Sequence, residues 1–379
     1  MADRPRKLDF LYFDAGGGHR AAANALREVM ERKAGRFEIR LVNVQEKLDA
    51  IDVFRKLTGL RLQDLYNLML RKGWTLGSGA LTRGMQGVIR VFHAQQVRVL
   101  EEHWRSSRPD LVVGLIPNLN RAVFESLRRV LPGTPLVTVL TDIADYPPHF
   151  WIERQEQHFI CGSEKAVEQA IAMGHARERV HRVSGMILNP RFYALEPIGA
   201  EERAAARKRL GFDPDRPVGL VLFGGYGAGV MEEIARRLPD VQLLMICGHN
   251  ERLAERLRAM PRRSPMFVEG FTKEVPRYMQ LADFFIGKPG PGSISEAVFM
   301  RLPVIVERNA WTLPQERYNT AWIRERGMGL VIPNFREIAA AVKELLKPEA
   351  YNRFRAATEV ENRGVFEIVE ILEGMLYCN

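Results

Sequence analysis

The sequence has few cysteines and no long apolar run. Its three cysteines, Cys161, Cys247 and Cys378, are far apart and form no CxxC or cysteine–histidine pattern. We therefore expect free thiols in a reducing compartment, not disulfides or a cysteine-bound metal. The longest apolar runs, such as residues 111–117 and 218–225, are far shorter than the roughly 20 residues that a membrane-spanning helix needs. They predict buried strands.

Several targeting and binding signals are also missing. The chain begins without the apolar stretch and small-residue cleavage site of a secretory signal, so we expect an intracellular protein. It has no RNA-binding aromatic signature, helix-turn-helix pattern or long block of lysine and arginine, and we expect no nucleic-acid partner. The net charge of +9 still indicates attraction to polyanions, among them an anionic membrane surface and a phosphorylated substrate.

The chain does contain a long alternation of apolar, β-type runs with helical patterns, over almost all of its 379 residues. This alternation is typical of parallel sheets covered by helices. We predict two doubly wound, Rossmann-like α/β domains, residues 1–190 and 191–360, with a last helix within 361–379 that packs back on the first domain. Because ligands of such sheets bind beyond the carboxyl ends of strands, we expect the active site in a cleft where the two domains face each other.

The predicted strands follow the apolar runs. In the first domain they are 8–14, 37–43, 111–115, 136–140 and 158–161, with helices at 21–33 and 163–173. In the second they are 218–223, 242–246, 266–268, 284–286, 304–306 and 329–332, with helices at 231–237, 293–300 and 315–326.

One segment, 51–106, breaks this alternation, because its apolar residues fall on one face of a helix. One interpretation is a helix packed on the sheet. The other is that 53–72 touches a membrane surface. That stretch carries five basic residues: Arg55, Lys56, Arg61, Arg71 and Lys72.

A glycine-rich turn, Gly16-Gly17-Gly18-His19, follows the first strand and opens a helix. Gly17 and Gly18 expose backbone N–H groups suited to a phosphate or to developing oxygen charge. The turn also fits the loose dinucleotide pattern, but the next strand ends at Asn43, without the ribose-binding carboxylate of a dehydrogenase. His19 is the candidate catalytic residue, since an imidazole of near-neutral pKa can take a proton from an acceptor hydroxyl.

A second glycine turn, Gly225-Tyr226-Gly227, follows the strand at 218–223. Its spacing fails the dinucleotide fingerprint, but it still supplies a flexible, amide-lined turn for a diphosphate. These three residues are candidate donor-binding residues.

The strongest local pattern is Gly290-Pro291-Gly292-Ser293, which follows the strand at 284–286. Its glycines let the backbone approach a phosphate, and Ser293 is expected to cap a helix. One turn into that helix, Glu296 can accept both hydroxyls of a ribose. The alternative interpretation is a capping box, in which Ser293 and Glu296 only close the helix end.

Two further polar residues, Gln315 and Glu316, open the next helix. They are candidates for binding sugar hydroxyls, which need several polar partners; a surface helix start is the alternative. Asp213-Pro214-Asp215 has the D-x-D form that some sugar transferases use for metal, but its proline and its place before a strand indicate a turn. We expect no metal and no other cofactor.

Taken together, these motifs resemble the monogalactosyldiacylglycerol synthase and processive diacylglycerol glucosyltransferase branch of glycosyltransferase family 28. The matching segments also include Val139-Leu140-Thr141-Asp142, Cys161-Gly162-Ser163-Glu164, Ile246-Cys247-Gly248-His249-Asn250 and Gly270-Phe271. The resemblance implies the GT-B fold, a UDP-sugar donor and a lipid acceptor. It also implies a cytoplasmic enzyme that is peripheral on the inner face of the cell membrane.

The resemblance also assigns donor contacts in the second domain. It places Phe271 beside the uracil, Glu296 on the ribose, residues 290–293 on the diphosphate, and Gln315 and Glu316 on the sugar. Such enzymes invert the anomeric centre and need no metal to hold the diphosphate.

The first domain would then contribute His19, facing the donor and the acceptor. Two positions depart from the pattern: Tyr226 replaces an acidic residue, and the acceptor-side segment reads Ile116-Pro117-Asn118. These departures keep open an alternative function, a nucleotide-sugar-binding protein without turnover. A UDP-sugar 2-epimerase is the other alternative.

Overall fold

The computed structural model describes residues 4–14, 17–33, 35–49, 84, 86–87 and 89–377. The chain divides into two compact units. The first comprises Met1–Pro190, Leu313–Gln315 and Asn362–Asn379, and the second comprises Arg191–Thr312 and Glu316–Glu361. The predicted membrane-contacting stretch 53–72 lies outside the described residues.

The first unit is built on six short strands. They are β1 Arg6–Tyr12, β2 Phe37–Asn43, β3 Leu111–Gly114, β4 Leu136–Val139, β5 His158–Cys161 and β6 Val180–Arg182. All pair in parallel, in the order β2-β1-β3-β4-β5-β6. Every residue of β3 and β4 is buried, as expected for strands with helices on both faces.

Helices cover this sheet. In the described part of the first unit they are Gly18–Glu31, Val44–Leu48, His93–Ser107, Asn120–Val130, Glu164–Ala172 and Gly364–Tyr377. The described end of the amphipathic segment, His93–Ser107, packs Leu100 and Trp104 into the same core as Val112 of β3. The C-terminal helix packs against Gly18–Glu31, where Lys33 and Glu373 form an ion pair at 2.5 Å.

The second unit repeats the plan with a second parallel sheet. Its strands are β7 Val218–Leu222, β8 Gln242–Ile246, β9 Met266–Glu269, β10 Phe284–Gly287, β11 Val304–Glu307 and β12 Gly329–Ile332. Their order is β12-β11-β10-β7-β8-β9. Counted from β7, this is the 3-2-1-4-5-6 order of the Rossmann fold.

The helices of the second unit alternate with these strands. They are Ala200–Arg209, Val230–Arg237, Glu251–Arg258, Val275–Leu281, Pro291–Phe299, Arg317–Glu325, Ile338–Leu345 and Pro348–Ala357. A single core joins apolar residues of the sheet, such as Val221 and Ile286, to helix residues such as Ile234 and Ile338. Among the helices in the described ranges, none is both long enough and apolar enough to cross a bilayer.

Candidate functional site

In the first unit, the turn after β1 presents His19 at the carboxyl edge of the sheet. Gly17 precedes the helix with a left-handed φ of +82°, a conformation that glycine adopts without the strain of a side chain. Among the described residues, no side chain caps this helix start, so its first N–H groups stay open to a ligand. Gly18 is also unhindered, since a Cβ added there meets nothing within 4 Å.

The half-buried ring of His19 is held by residues that follow two neighbouring strands. Its Nδ1 lies 3.0 Å from the hydroxyl oxygen of Thr141, just beyond β4. Desolvation lowers the pKa of His19 to about 4, against the opposing effect of a hydrogen bond to the backbone of Leu115 beyond β3. The imidazole is therefore neutral at pH 7, which is the form that accepts a proton.

Behind this histidine lies a buried indole. The rings of His19 and Trp151 are 5.8 Å apart, and Trp151 Nε1 donates a 2.8 Å hydrogen bond to Asp142. The carboxylate of Asp145 accepts the backbone N–H of Trp151 at 2.6 Å. Burial raises the pKa of Asp145 to about 6, although several backbone N–H groups oppose the shift. These contacts fix the loop that backs the histidine.

In the second unit, two glycine turns meet at the carboxyl ends of β7 and β10. These strands are neighbours, but the chain leaves β7 toward β8 and enters β10 from β9 on the far edge. Such a reversal of strand order is the usual ligand site of a doubly wound sheet. The turns adjoin closely: a Cβ added to Gly224 would lie 3.7 Å from Cε of Lys288.

The turn after β7 is locked to the loop after β8. The backbone N–H of His249 donates to the carbonyl of Gly225 at 2.9 Å. A Cβ on Gly248 would lie 2.1 Å from that same carbonyl oxygen, and one on Gly227 would lie 2.9 Å from Leu253. Gly227 and Gly248 both have positive φ, so close packing requires glycine there. Gly225 itself is open, with no atom within 4 Å of an added Cβ.

Three aromatic rings lie together beside this turn. The rings of His249 and Phe271 are parallel, with centroids 4.0 Å apart, and Tyr226 tilts toward His249 at 5.7 Å. Phe271 is 58% exposed and Tyr226 is 48% exposed. One face of Phe271 is thus covered by His249, while much of the ring remains open. An exposed ring of this kind is a stacking surface for a planar group such as a nucleobase.

The helix after β10 begins two residues earlier than the sequence predicted. It runs Pro291–Phe299, with Gly290 at the N-cap and Pro291 in its first turn. Proline suits that position because its fixed φ is helical and its missing N–H has no partner to lose. The prediction that Ser293 caps the helix was therefore wrong, as was the capping-box alternative. Gly292 and Ser293 instead lie in the first turn, where N–H groups lack intrahelical acceptors.

Glu296 consequently lies deeper in the helix than one turn from its start. Desolvation by burial raises its pKa to about 7. Helical side chains lean toward the N-terminus of their helix, which directs Glu296 back toward the Gly290 turn. In the free protein, burial destabilises the charged carboxylate of Glu296, and hydrogen bonds from the hydroxyl groups of a ligand would stabilise it.

The residues before the next helix form an ion pair with the Lys288 turn. Gln315 and Glu316 lie in a short 3-10 helix, Pro314–Glu316, so the predicted helix 315–326 is an α-helix only over Arg317–Glu325. Glu316 is buried, and its Oε1 accepts a 3.1 Å hydrogen bond from Nζ of Lys288. Gln315 is half-buried and has interactions of its own.

Several residues that the sequence analysis gave no role belong to this geometry. Thr141 holds the ring of His19, His249 covers one face of Phe271, and Lys288 joins the two glycine turns. Asn319 donates to the carbonyl of Pro289 at 2.8 Å. Their place in the sequence could have identified three of these four residues, because those three follow the carboxyl end of a strand, where doubly wound sheets bind ligands.

In the parts of the chain that the structure describes, no group of three or more histidine, cysteine, aspartate or glutamate side chains could hold a metal ion. In the D-x-D segment, the N–H of Asp215 donates to the side chain of Asp213 at 3.0 Å, an Asx-turn contact. The absence of a metal requirement stays a prediction.

Similarity to known sequences indicates the family that the chain resembles. No family model matches the chain. It is 27% identical over 372 residues to the chloroplast monogalactosyldiacylglycerol synthase of Spinacia oleracea, covering 92% of this chain and 67% of the spinach protein. A probable monogalactosyldiacylglycerol synthase 2 of Oryza sativa subsp. japonica is 29% identical over 360 residues, covering 88% and 72%. Over about nine tenths of its length the chain is thus similar in sequence to monogalactosyldiacylglycerol synthases.

This similarity confirms the predicted resemblance and agrees with the prediction of an enzyme, since the relatives are named synthases. The match spans about two thirds of the spinach synthase.

Similarity to solved structures indicates the fold. Acinetobacter baumannii MurG superposes with a TM-score of 0.56 at 11% identity, covering 97% of this chain and 99% of MurG. Medicago truncatula UGT71G1, complexed with UDP-glucose, gives 0.60 at 13%, covering 98% of each chain. The predicted GT-B fold is confirmed.

Proposed function

We propose that the chain is an inverting hexosyltransferase, which moves a hexose from a UDP-sugar onto a hydroxyl of a diacylglycerol-like lipid at a membrane surface. The observation that carries the proposal is the meeting of two glycine turns at the point of strand reversal in the second unit, beside an exposed aromatic ring. The names of the relatives, which specify a galactosylated diacylglycerol, support the substrate class. A UDP-glucose complex of the same fold supports the donor.

The second unit provides the donor contacts. Phe271 offers its open face to the uracil, and Glu296 accepts the ribose hydroxyls. The diphosphate rests on residues 290–293, where the first N–H groups of a helix and its dipole favour negative charge. Glu316 is assigned to the sugar, as is Gln315, the residue before it, which the division of the chain counts with the first unit.

The first unit provides the base. A neutral His19 takes the proton of the acceptor hydroxyl as its oxygen bonds to the anomeric carbon of the sugar. The bond from that carbon to the diphosphate breaks on the opposite face, and its electron pair leaves with UDP. Attack opposite the leaving group inverts the anomeric centre. The open N–H groups near residue 290 stabilise the charge that develops on UDP.

The test is release of UDP from a panel of UDP-sugars, with and without diacylglycerol in anionic liposomes, in the presence of EDTA. We expect release from one donor only, dependent on the lipid, with a glycolipid product of opposite anomeric configuration. Tight UDP binding without any release would support the alternative of a binding protein without turnover. Conversion of the UDP-sugar itself, without an acceptor, would support the epimerase alternative.

We also propose that the protein acts at the cytoplasmic face of the membrane, attached by its positive charge. The net charge of +9 favours anionic lipid, and this attraction weakens as salt rises. Flotation with anionic liposomes at low salt should carry the protein upward, and neutral liposomes should not. A protein that stays at the bottom in both cases would contradict membrane attachment.

A further inference from the structure

The proposed donor site must compensate the negative charge of the leaving nucleoside diphosphate. A departing nucleoside diphosphate carries at least two negative charges, and a helix N-terminus supplies only about half of one positive charge. If no metal takes part, a protein cation must provide the rest. The position of such a cation is constrained, because it must reach the first turn of Pro291–Phe299 and the neighbouring turn after β7 at once.

Lys288 occupies this position. It follows β10 directly and lies between the two glycine turns. Its Cε would be 3.7 Å from a Cβ on Gly224 and 3.3 Å from a Cβ on Gly290, and its Nζ would be 3.8 Å from the latter. The ammonium group is thus close to the N-cap of the helix. A methyl group on Gly290 would press against the lysine side chain, whereas one on Gly224 would be in ordinary van der Waals contact with it.

Glu316 holds the ammonium group of Lys288 and leaves some of its hydrogen-bond donors available. Oε1 of Glu316 accepts one hydrogen bond from it at 3.1 Å, while a lysine has three donors. Among the residues that the structure describes, Glu316 is the hydrogen-bond and ion-pair partner of Lys288. The Lys288 side chain is 39% exposed, whereas that of Glu316 is 10% exposed. A solvent-accessible ammonium with donors left over is a suitable phosphate ligand.

We propose that Lys288 binds the diphosphate of the donor and stabilises its negative charge as UDP departs, with Glu316 holding the ammonium between the two turns. This inference rests on the proposed function. It assigns the leaving-group charge to a lysine of the second unit and alters the expected role of Glu316, one of whose carboxylate oxygens faces Lys288.

A purely structural ion pair makes a different prediction. If Lys288 serves only to neutralise the buried Glu316, its loss should disturb the turn as a whole, and every ligand of the site should bind less well. If it binds the diphosphate, only ligands with phosphate should be affected. Uridine and UDP separate the two cases, because they share the base and ribose and differ in the diphosphate.

The experiment is calorimetric titration of UDP and of uridine into the full-length protein and three variants. We expect Lys288→Gln to weaken UDP binding by about 10- to 100-fold, the range of a charge-assisted hydrogen bond, with uridine binding unchanged. Lys288→Arg, which keeps the charge, should lose less. Lys208→Gln, an exposed lysine of the helix Ala200–Arg209, is the matched control and should bind both ligands as the wild type does.

Two results would overturn the assignment of Lys288. One is UDP binding by Lys288→Gln equal to that of the wild type, and the other is an equal loss for uridine and UDP. A wild-type protein that binds neither ligand is a different failure. It would remove the donor site, and with it both the proposed function and the role of Lys288.

Discussion

The two units place the same kind of turn in different chemical surroundings. Each has a parallel sheet, with a glycine-rich turn opening a helix at the carboxyl end of a strand. Around His19 in the first unit, burial keeps an ionisable ring neutral. Around Gly290 in the second unit lie the charged pair Lys288 and Glu316 and a carboxyl of raised pKa, Glu296. In the proposed function, the same kind of turn thus supports a proton acceptor in one unit and an anion-binding site in the other.

This contrast predicts that the largest effect on turnover comes from the first unit. His19→Ala should lower kcat by about 10²- to 10⁴-fold, the usual contribution of a general base. Release of UDP in the lipid-dependent assay is the measurement. The control is Arg32→Ala, which should keep wild-type kcat. Arg32 directly follows the helix Gly18–Glu31, and its exposed side chain pairs with Glu28. Equal activity in His19→Ala would remove the imidazole from the mechanism.

The second unit should show the effect of pH through Glu296. Because its folded pKa is raised to about 7, its carboxylate forms as pH rises through 7, and ribose hydroxyls donate to that form. Uridine should therefore bind about ten times more weakly per pH unit below 7, by the proton linkage of one group. Glu296→Gln should bind uridine weakly at every pH. A wild-type affinity that is constant from pH 5 to 8 would contradict this role.

Stability should change in the opposite direction. A raised pKa means that the folded protein binds more protons than the unfolded chain between the ordinary pKa of glutamate and about 7, so the contribution of Glu296 to stability is lost as pH rises through that window. Glu296→Gln should have a higher Tm than the wild type at pH 8, with little difference near pH 4. Equal melting curves at pH 8 would argue against a strongly desolvated carboxyl.

Close packing in the second unit should make one glycine irreplaceable. Gly248→Ala places a methyl group 2.1 Å from the carbonyl oxygen of Gly225, at a φ of +57°. We expect a loss of about 1–3 kcal/mol in the free energy of unfolding, measured by urea titration, and weaker UDP binding. Gly199→Ala, where the added Cβ meets no atom within 4 Å, is the control. If both variants unfold alike, the lock between the two loops is absent.

The smallest expected effect concerns the orientation of the imidazole. Thr141→Val removes the hydroxyl that lies 3.0 Å from Nδ1 of His19, and it should reduce kcat by about ten-fold, as loss of one neutral hydrogen bond does. Thr141→Ser should restore activity because it keeps the oxygen. KM for the donor should not move, since Thr141 is not among the proposed donor contacts. If Thr141→Ser is as slow as Thr141→Val, the hydroxyl does not orient the ring.

Much of the fold was predictable because its signals are local. Runs of valine, isoleucine and leucine marked the strands, and β2, β5, β8 and β12 have the predicted bounds. Strand β6 was missed, since its three residues, Val180–Arg182, form no apolar run. The early start of the helix at Pro291 was also missed, although proline in a first turn is itself a signal.

The site was less predictable, because its partnerships join residues distant in the sequence. His19 and Thr141 are 122 residues apart, and Lys288 and Glu316 are 28 apart. Sequence motifs identified one member of each pair, and the order of the strands then brings the other to the same edge of the sheet. That order is set by packing of the whole unit, not by any local pattern.

The most direct test of this division of work is UDP binding by three proteins, the wild type, His19→Ala and Glu296→Ala, measured by calorimetry under one condition. We predict that His19→Ala binds UDP as tightly as the wild type while being inactive, and that Glu296→Ala loses both binding and activity. A loss of UDP affinity in His19→Ala as large as that in Glu296→Ala would contradict it, because donor binding would then not belong to the second unit.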